Sequence, residues 1–188
     1  MKRNPGGRSG SALKNKSKTV LNTLSLYNWF PVYTNPRAEK KAAALLTQKG
    51  IEVYLPLQRQ LKQWSDRKKW VEEPLIKSYI FVNITVKQQM DVLTTKGVSR
   101  FIYFSGKIAS MPVRQIDQLK LLLASELDLE IVDHKFEKGE QVKIIAGPLM
   151  GLAGELVNFH SQKRMILRLD HTGQVVLVQI PAVFLAPF

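Results

Sequence analysis

Few side chains in this 188-residue chain have the type and spacing to do covalent chemistry. There is no cysteine, which excludes disulfides, thiolate nucleophiles and Cys-based metal sites. The three histidines, His134, His160 and His171, are too scattered for a metal cluster. Glu72 and Glu73 are adjacent, so in a strand they point to opposite faces and make a poor acid–base pair. Glu39, Asp66 and Asp117 stand alone among Lys and Arg, which suits surface ion pairs better than catalysis. No Ser/His/Asp or Cys/His set is apparent, and neither glycine-rich phosphate loop, GxxxxGK[ST] or GxGxxG, is present. The residues therefore point away from an enzyme and imply no metal and no cofactor. Binding chemistry remains. Trp64, Trp70, Tyr103 and Phe104 lie near Arg67-Lys68-Lys69 and Lys107, the mixture of π-faces and cations on which single-strand binders stack bases. The competing reading puts the tryptophans in an aromatic core beneath a solvated basic loop. It is the expectation for the tryptophans, while the loop is open to both.

Charge separates the chain into unlike parts. The net charge is +13, yet residues 124–188 hold a slight excess of acid. Residues 1–28 hold six Lys/Arg and no acid. A basic front and a nearly neutral rear suggest that the front meets phosphate and the rear meets something else. The hydrophobic fraction of 45% suffices for a core. No apolar run reaches the length of a membrane span, and the basic N-terminus lacks the apolar stretch of a secretory signal. A cytoplasmic protein with no membrane contact is expected.

The elements that must position these residues can be read in order. Residues 1–28 are rich in Gly, Ser, Asn and Lys and predict a disordered basic tail. Trp29–Tyr33 predicts a strand, with Pro31 arguing for an edge position or an irregular start. Asn35 and Pro36 predict a helix start and Gly50 its stop, with Ala38, Ala42, Leu45 and Leu46 inward. Arg37, Lys40, Lys41 and Gln48 fall on the other face, which either touches nucleic-acid backbone or is plainly solvated. Ile51–Leu55 predicts a strand. Leu57–Trp64 and Trp70–Glu73 predict a hairpin with a charged tip. Tyr79-Ile80-Phe81-Val82 is a dense strand. Alternation sends Ile80 and Val82 into the core and leaves Tyr79 and Phe81, with Ile76 beside them, on the opposite face. Thr85 and Gln88 form a capping box for a short helix with Val86, Met90 and Leu93 inward. Val98–Phe104 predicts a strand, and Pro112 opens a helix with Val113, Ile116, Leu119 and Leu123 on one side. The order β-α-β-β-β-α-β-α argues an α+β fold, an antiparallel sheet flanked by helices. Residues 124–137 read as a flexible linker, so the two domains are expected to move independently. Residues 138–188, short strands between Gly and Pro turns, predict a small SH3-like β-barrel.

Two separate parts of the chain resemble one family. Residues 139–156 read GxxVxIxxGPxxGxxGxL, which is similar to a KOW motif through Gly139, Gly147, Pro148, Gly151 and Gly154. The spacing asks for tight turns and close backbone approach. Trp29–Tyr33 before a helix with Glu39, then Glu73-Pro74-Leu75, Tyr79–Val82, Gly97–Phe101 and Pro112, resemble the N-terminal (NGN) domain of NusG. The resemblance runs over residues 29–188, with a tail at 1–28, an NGN domain at 29–123, a linker at 124–137 and a KOW domain at 138–188. GIEVYLP and QWSDRKKW look most like the RfaH-like and UpxY-like antiterminators. The resemblance implies a monomeric, non-catalytic elongation and antitermination factor of bacterial RNA polymerase, acting at specific operons. It implies an apolar patch of Tyr33, Ile76, Tyr79, Phe81, Ile116 and Leu119 that docks on the clamp helices of the largest subunit. The other large subunit would be met near Gln88-Gln89-Met90. Arg37, Lys40, Lys41 and Lys96 would lie toward the non-template DNA strand. The KOW domain would recruit a small-subunit ribosomal protein or the Rho terminator. The alternative is a ribosome-associated or general RNA-binding KOW protein.

Overall fold

The computed structural model describes residues 27–125, 127, 129–132, 137–147, 149–160 and 162–188. Most of the basic tail expected at 1–28 lies outside the described residues, and Asn28 already belongs to the first strand.

The front half runs β1 (Asn28–Thr34), α1 (Glu39–Gln48), β2 (Glu52–Tyr54), β3 (Leu57–Gln63), β4 (Lys68–Pro74), β5 (Tyr79–Ile84), α2 (Gln89–Leu93), β6 (Val98–Phe101), β7 (Tyr103–Phe104), β8 (Lys107–Ile108) and α3 (Val113–Ala124). Four of these strands form an antiparallel sheet in the order β2-β5-β1-β6. The sheet is apolar on both faces, as its dense composition predicts. Phe30, Val32, Ile80, Val82 and Ile84 face Ala42 and Leu46 of α1 and Val92 of α2. Trp29, Tyr79 and Phe81 belong to the other face, with Ile116, Leu119 and Leu122 of α3. The expected split of Tyr79 and Phe81 from Ile80 and Val82 is the observed one.

Several expectations are corrected. Pro31 lies in a central strand, not an edge strand. The Trp29 carbonyl accepts the Met111 N–H, so by alternation the missing N–H of Pro31 would point to the same flank. Pairing with β6 begins only at Val32, so that flank is locally open at Pro31. The first helix starts at Glu39, with Ala38 as its N-cap. Arg37 has φ +64°, a left-handed conformation that keeps the Asn35–Arg37 turn out of the helix. Val86 and Met90 are exposed and Val92 is buried, so α2 turns a different face inward from the one expected. The strand expected over Val98–Phe104 breaks at Ile102. Its second part pairs with Lys107–Ile108 through Ser105 (φ +49°) and Gly106 (φ +76°), the two positive angles of a type I′ hairpin.

The rear half holds β9 (Leu129–Val132), β10 (Glu140–Ile144), β11 (Ala153–Phe159), β12 (Gln162–Leu169), β13 (Gln174–Val178) and β14 (Leu185–Pro187). They form one antiparallel sheet in the order β14-β10-β11-β12-β13-β9. The fold class is α+β as expected, with a strongly stranded C-terminal part. Within the segment read as a linker, Leu129–Val132 pairs with β13 across Val175–Val178. Its alternating Leu129 and Ile131 supply apolar groups that the acidic composition around them obscures. The halves also share one core. Val142, Ile144, Met165, Leu167, Val176 and Val178 lie in the same contiguous apolar cluster as Tyr79, Phe81 and Ile116. In this conformation the halves pack together, where independent movement was expected.

Candidate functional site

The apolar surface around Tyr79 is built by register. β1 and β5 pair Tyr33 with Tyr79, and their rings meet edge to face at 4.9 Å. The Arg100 guanidinium lies over Tyr33, 5.2 Å from the ring centre. Phe81 stacks beside Tyr54 at 6.3 Å. The six residues expected to form a docking patch do come together, but as core. Ile76, Phe81, Ile116 and Leu119 are fully buried, Tyr79 nearly so, and Tyr33 half-buried. Solvent is excluded because α3 and the C-terminal sheet join the same cluster.

Polar contacts also close this surface, and the sequence did not announce them. The Tyr79 hydroxyl donates to the Thr172 carbonyl at 3.4 Å. The Gln118 side chain donates to the Ala153 carbonyl at 3.4 Å, and the Gln115 side-chain oxygen accepts the Asp170 N–H at 3.1 Å. Phe104 rests against His171, ring centres 5.1 Å apart. Gln115 and Gln118 are three apart on α3, and this helical spacing on the flank beside Ile116 and Leu119 is the one signal that a second surface lies there.

The basic residues sit around the N-terminus of α1. Arg37 and Lys40 line an open groove of roughly 580 Å³ with Lys62, Glu72, Glu73 and Lys77. The Lys40 ammonium donates to the Glu72 carbonyl at 2.7 Å, and Lys62 pairs with Glu73. The hydrogen bond from Lys62 holds the Glu73 carboxyl below its usual range. Lys41 is exposed on the same helix. Lys96 is exposed beside Gly97, whose carbonyl accepts the Asn35 N–H and on which an added Cβ would crowd Ala38 and Ala42. Glu39 is not the surface carboxylate expected. It is buried and accepts the Ser78 N–H at 2.8 Å, tying the start of α1 to the turn before β5.

At α2 the capping box is present, and it occupies Gln88, whose side-chain oxygen accepts the Thr85 N–H at 3.0 Å. Met90 and Val86 remain outward. In the rear half the motif glycines divide by role. Gly139 and Gly154 sit where a neighbouring strand leaves no room, and Gly147 and Gly151 adopt positive φ. Pro148 lies outside the described residues. Glu155, next to Gly154, receives the Arg168 guanidinium at 2.7 and 3.0 Å and the Gly139 N–H at 3.1 Å. That pairing with Arg168 lowers the carboxyl's pKa. Among the described residues no cluster of His, Asp or Glu could hold a metal, and no helix is long and apolar enough to cross a membrane.

No curated protein matches the chain. One similar solved structure, described as "Domain interaction in Thermotoga maritima NusG", is 19% identical with a TM-score of 0.47, over 88% of this chain and 99% of that one. Another, described as "Crystal Structure of MjSpt4:Spt5 complex conformation A", is 19% identical with a TM-score of 0.25, over 85% of this chain and 97% of that one. A family model described as "Transcription termination factor nusG" matches residues 27–120. That match takes in the four-stranded sheet, its two helices, the hairpin and most of α3, half of the chain in all, and the chain belongs to the NusG family of transcription factors.

Proposed function

We propose that this chain is an elongation and antitermination factor whose apolar surface around Tyr33 and Tyr79 docks on the clamp helices of the largest RNA polymerase subunit. The observation that carries the reading is a sheet apolar on both faces. One face seats α1 and α2. The second needs a cover, and at the rim of its present cover the Tyr79 hydroxyl and the Gln118 side chain donate, and the Gln115 side-chain oxygen accepts, hydrogen bonds of 3.1–3.4 Å. Such a cover can be exchanged for a partner's helices. Residues 29–123 would act as the NGN domain. Residues 138–188, with Gly139, Gly147, Pro148, Gly151 and Gly154 as their motif, would act as a KOW domain that recruits a ribosomal protein or Rho once released. Exposed Met90 and Val86 support a second contact at α2, to the other large subunit. A bridge made only when the clamp is closed favours the closed clamp by its differential affinity, and so suppresses pausing and termination. Arg37, Lys40, Lys41 and Lys96 would lie toward the non-template strand and read an element at particular operons.

Docking by a covered surface obeys a population rule: apparent affinity is the intrinsic affinity multiplied by the open fraction. Gln118→Glu removes a donor and sets a carboxylate against the Ala153 carbonyl, so it raises that fraction. Polymerase retention by this variant is expected to rise, on the order of tenfold for about 1.4 kcal/mol less closure. Tyr33→Ala with Tyr79→Ala is expected to abolish retention and pause suppression in purified transcription, with the fold checked by circular dichroism. Phe81, Ile116 and Leu119 are poor probes, because truncating such buried groups costs about 2–5 kcal/mol of stability. Well-folded variants that both behave as the parent chain would sink the clamp assignment.

A further inference from the structure

An open groove of roughly 610 Å³ separates the β3–β4 ribbon from the end of α3. Leu57, Arg59, Trp70 and Glu72 line it from the ribbon, and Leu123 and Leu127 from the opposite wall. Register explains why the ribbon turns apolar groups this way. Leu57 lies opposite Pro74, Arg59 opposite Glu72 and Leu61 opposite Trp70, so all six share one face. A two-stranded ribbon is marginal in water unless its apolar face packs on something. Here the packing is incomplete. Leu57, Leu123 and Leu127 are half-buried, while Leu61 is 49% exposed and Trp70 57%. The Arg59 guanidinium stands over the Trp70 ring, 5.3 Å from its centre. Charge is graded along the same face. At its base Arg59 and Glu72 offset each other across the register. At its tip Lys68 continues the face opposite Gln63, with no acidic partner among the described residues.

We infer that this groove docks an acidic amphipathic helix of a partner protein. The helix lays its apolar stripe on Leu57, Leu61, Trp70, Leu123 and Leu127, and carboxylates at its end nearer the hairpin tip meet Lys68. The lining chooses among the occupants. Aliphatic groups on both walls accept leucine-like anchors spaced i, i+3, i+4 and i+7. Bases need flat platforms, and among the lining residues only Trp70 is one. A second copy is opposed by the charge of +13 that each chain carries, whereas an acidic partner is drawn to it. Length agrees as well. β3 spans seven residues, about 20 Å of extended chain, which a helix of about 14 residues covers. None of the groove residues belongs to the patch around Tyr33 and Tyr79, so the inference stands apart from the clamp reading.

The test titrates the full chain into a fluorescein-labelled peptide and follows anisotropy. The peptide has about 14 residues, with leucine at helical i, i+3, i+4 and i+7 spacing and glutamate and alanine elsewhere. It is expected to bind. A scrambled peptide of the same composition, and one with lysine for every glutamate, are each expected to bind on the order of tenfold more weakly. These comparisons need no change to the protein. Leu61→Ser and Trp70→Ser, both at exposed positions, are each expected to weaken binding on the order of tenfold, with the fold checked by circular dichroism. Lys68→Gln is expected to weaken it and to reduce its salt dependence. No binding, or equal binding of the ordered and scrambled peptides, would overturn the inference. Displacement of the peptide by an oligothymidylate would overturn it in favour of nucleic acid. A dimer in sedimentation that Leu61→Ser dissociates would overturn it in favour of a second copy. Polymerase retention by Leu61→Ser is expected to match the parent chain; its loss would make the groove part of the clamp contact and defeat the separate partner.

Discussion

A Cβ built on Gly139 would stand 2.3 Å from the Leu156 carbonyl oxygen, and one on Gly154 would meet the Ile166 carbonyl at 2.7 Å. At both, backbone is the obstacle and cannot turn aside as a side chain can. Gly151 differs: its φ is +93° and nothing lies within 4 Å. A methyl group there strains only the residue's own backbone. The two mechanisms predict different losses. Gly154→Ala is expected to destabilise the C-terminal sheet by about 3 kcal/mol, and Gly151→Ala by about 1 kcal/mol, both read as shifts in urea midpoint at unchanged slope. Equal midpoints would mean that the strands separate freely at Gly154. Motif spacing announced that glycines were needed, but not which clash and which twist, because that depends on the strand lying opposite. Glu39 makes the same point from the other side. Its position in a first helical turn was legible, and its burial against the Ser78 N–H was not, since residues 39 apart meet only in the folded chain.

The secondary elements divide in a similar way. The dense strand Tyr79–Ile84, the hairpin around Ser65–Lys69 and strands β10 to β13 of the six-stranded rear sheet all lie close to where composition and turn residues place them. Period-two and turn signals are local, so a sequence carries them openly. The short helix is the failure. Five residues give barely more than one turn, too little for a periodic pattern to choose a face, and Val86-Met90-Leu93 fits helical spacing as well as any other set. The folded chain buries Val92 instead, beside Phe30 and Ile84. Val92→Ala is therefore expected to cost about 2 kcal/mol, while Met90→Ala stays within about 0.5 kcal/mol, measured by thermal unfolding. The reverse order would restore the face read from sequence. The tryptophan hairpin fails for a related reason. Aromatic residues predict burial on average, yet β3 and β4 pair only with each other among the described residues, and Trp64 and Trp70 stay more than half exposed.

The two halves, read as separate domains on a loose tether, share one apolar cluster in the folded chain. Its closure joins a large apolar area with hydrogen bonds of Tyr79, Gln115 and Gln118 at the rim. Solution scattering tests how readily it opens. Gln115→Ala with Gln118→Glu is expected to enlarge the radius of gyration and to speed amide exchange at Thr172 and Asp170, with the β-sheet content unchanged. An unaltered radius and unaltered exchange would mean that apolar packing alone keeps the halves together.

The sequence by itself determined the chemistry on offer and the local building plan: no cysteine, a basic front, a strand apolar on both sides, glycines spaced for tight turns, and a family resemblance that the match over residues 27–120 bears out. Those properties follow from residue type and short-range periodicity, which survive without knowledge of neighbours. Tertiary structure alone decided what covers what. It set Tyr79 and Phe81 in a core shared with the rear sheet, left Trp64 and Trp70 bare, turned α2 about its axis, and recruited Leu129–Val132 into a sheet. Burial is a relation between segments far apart in the chain, and a side chain's type says that it will lose water without saying to whom.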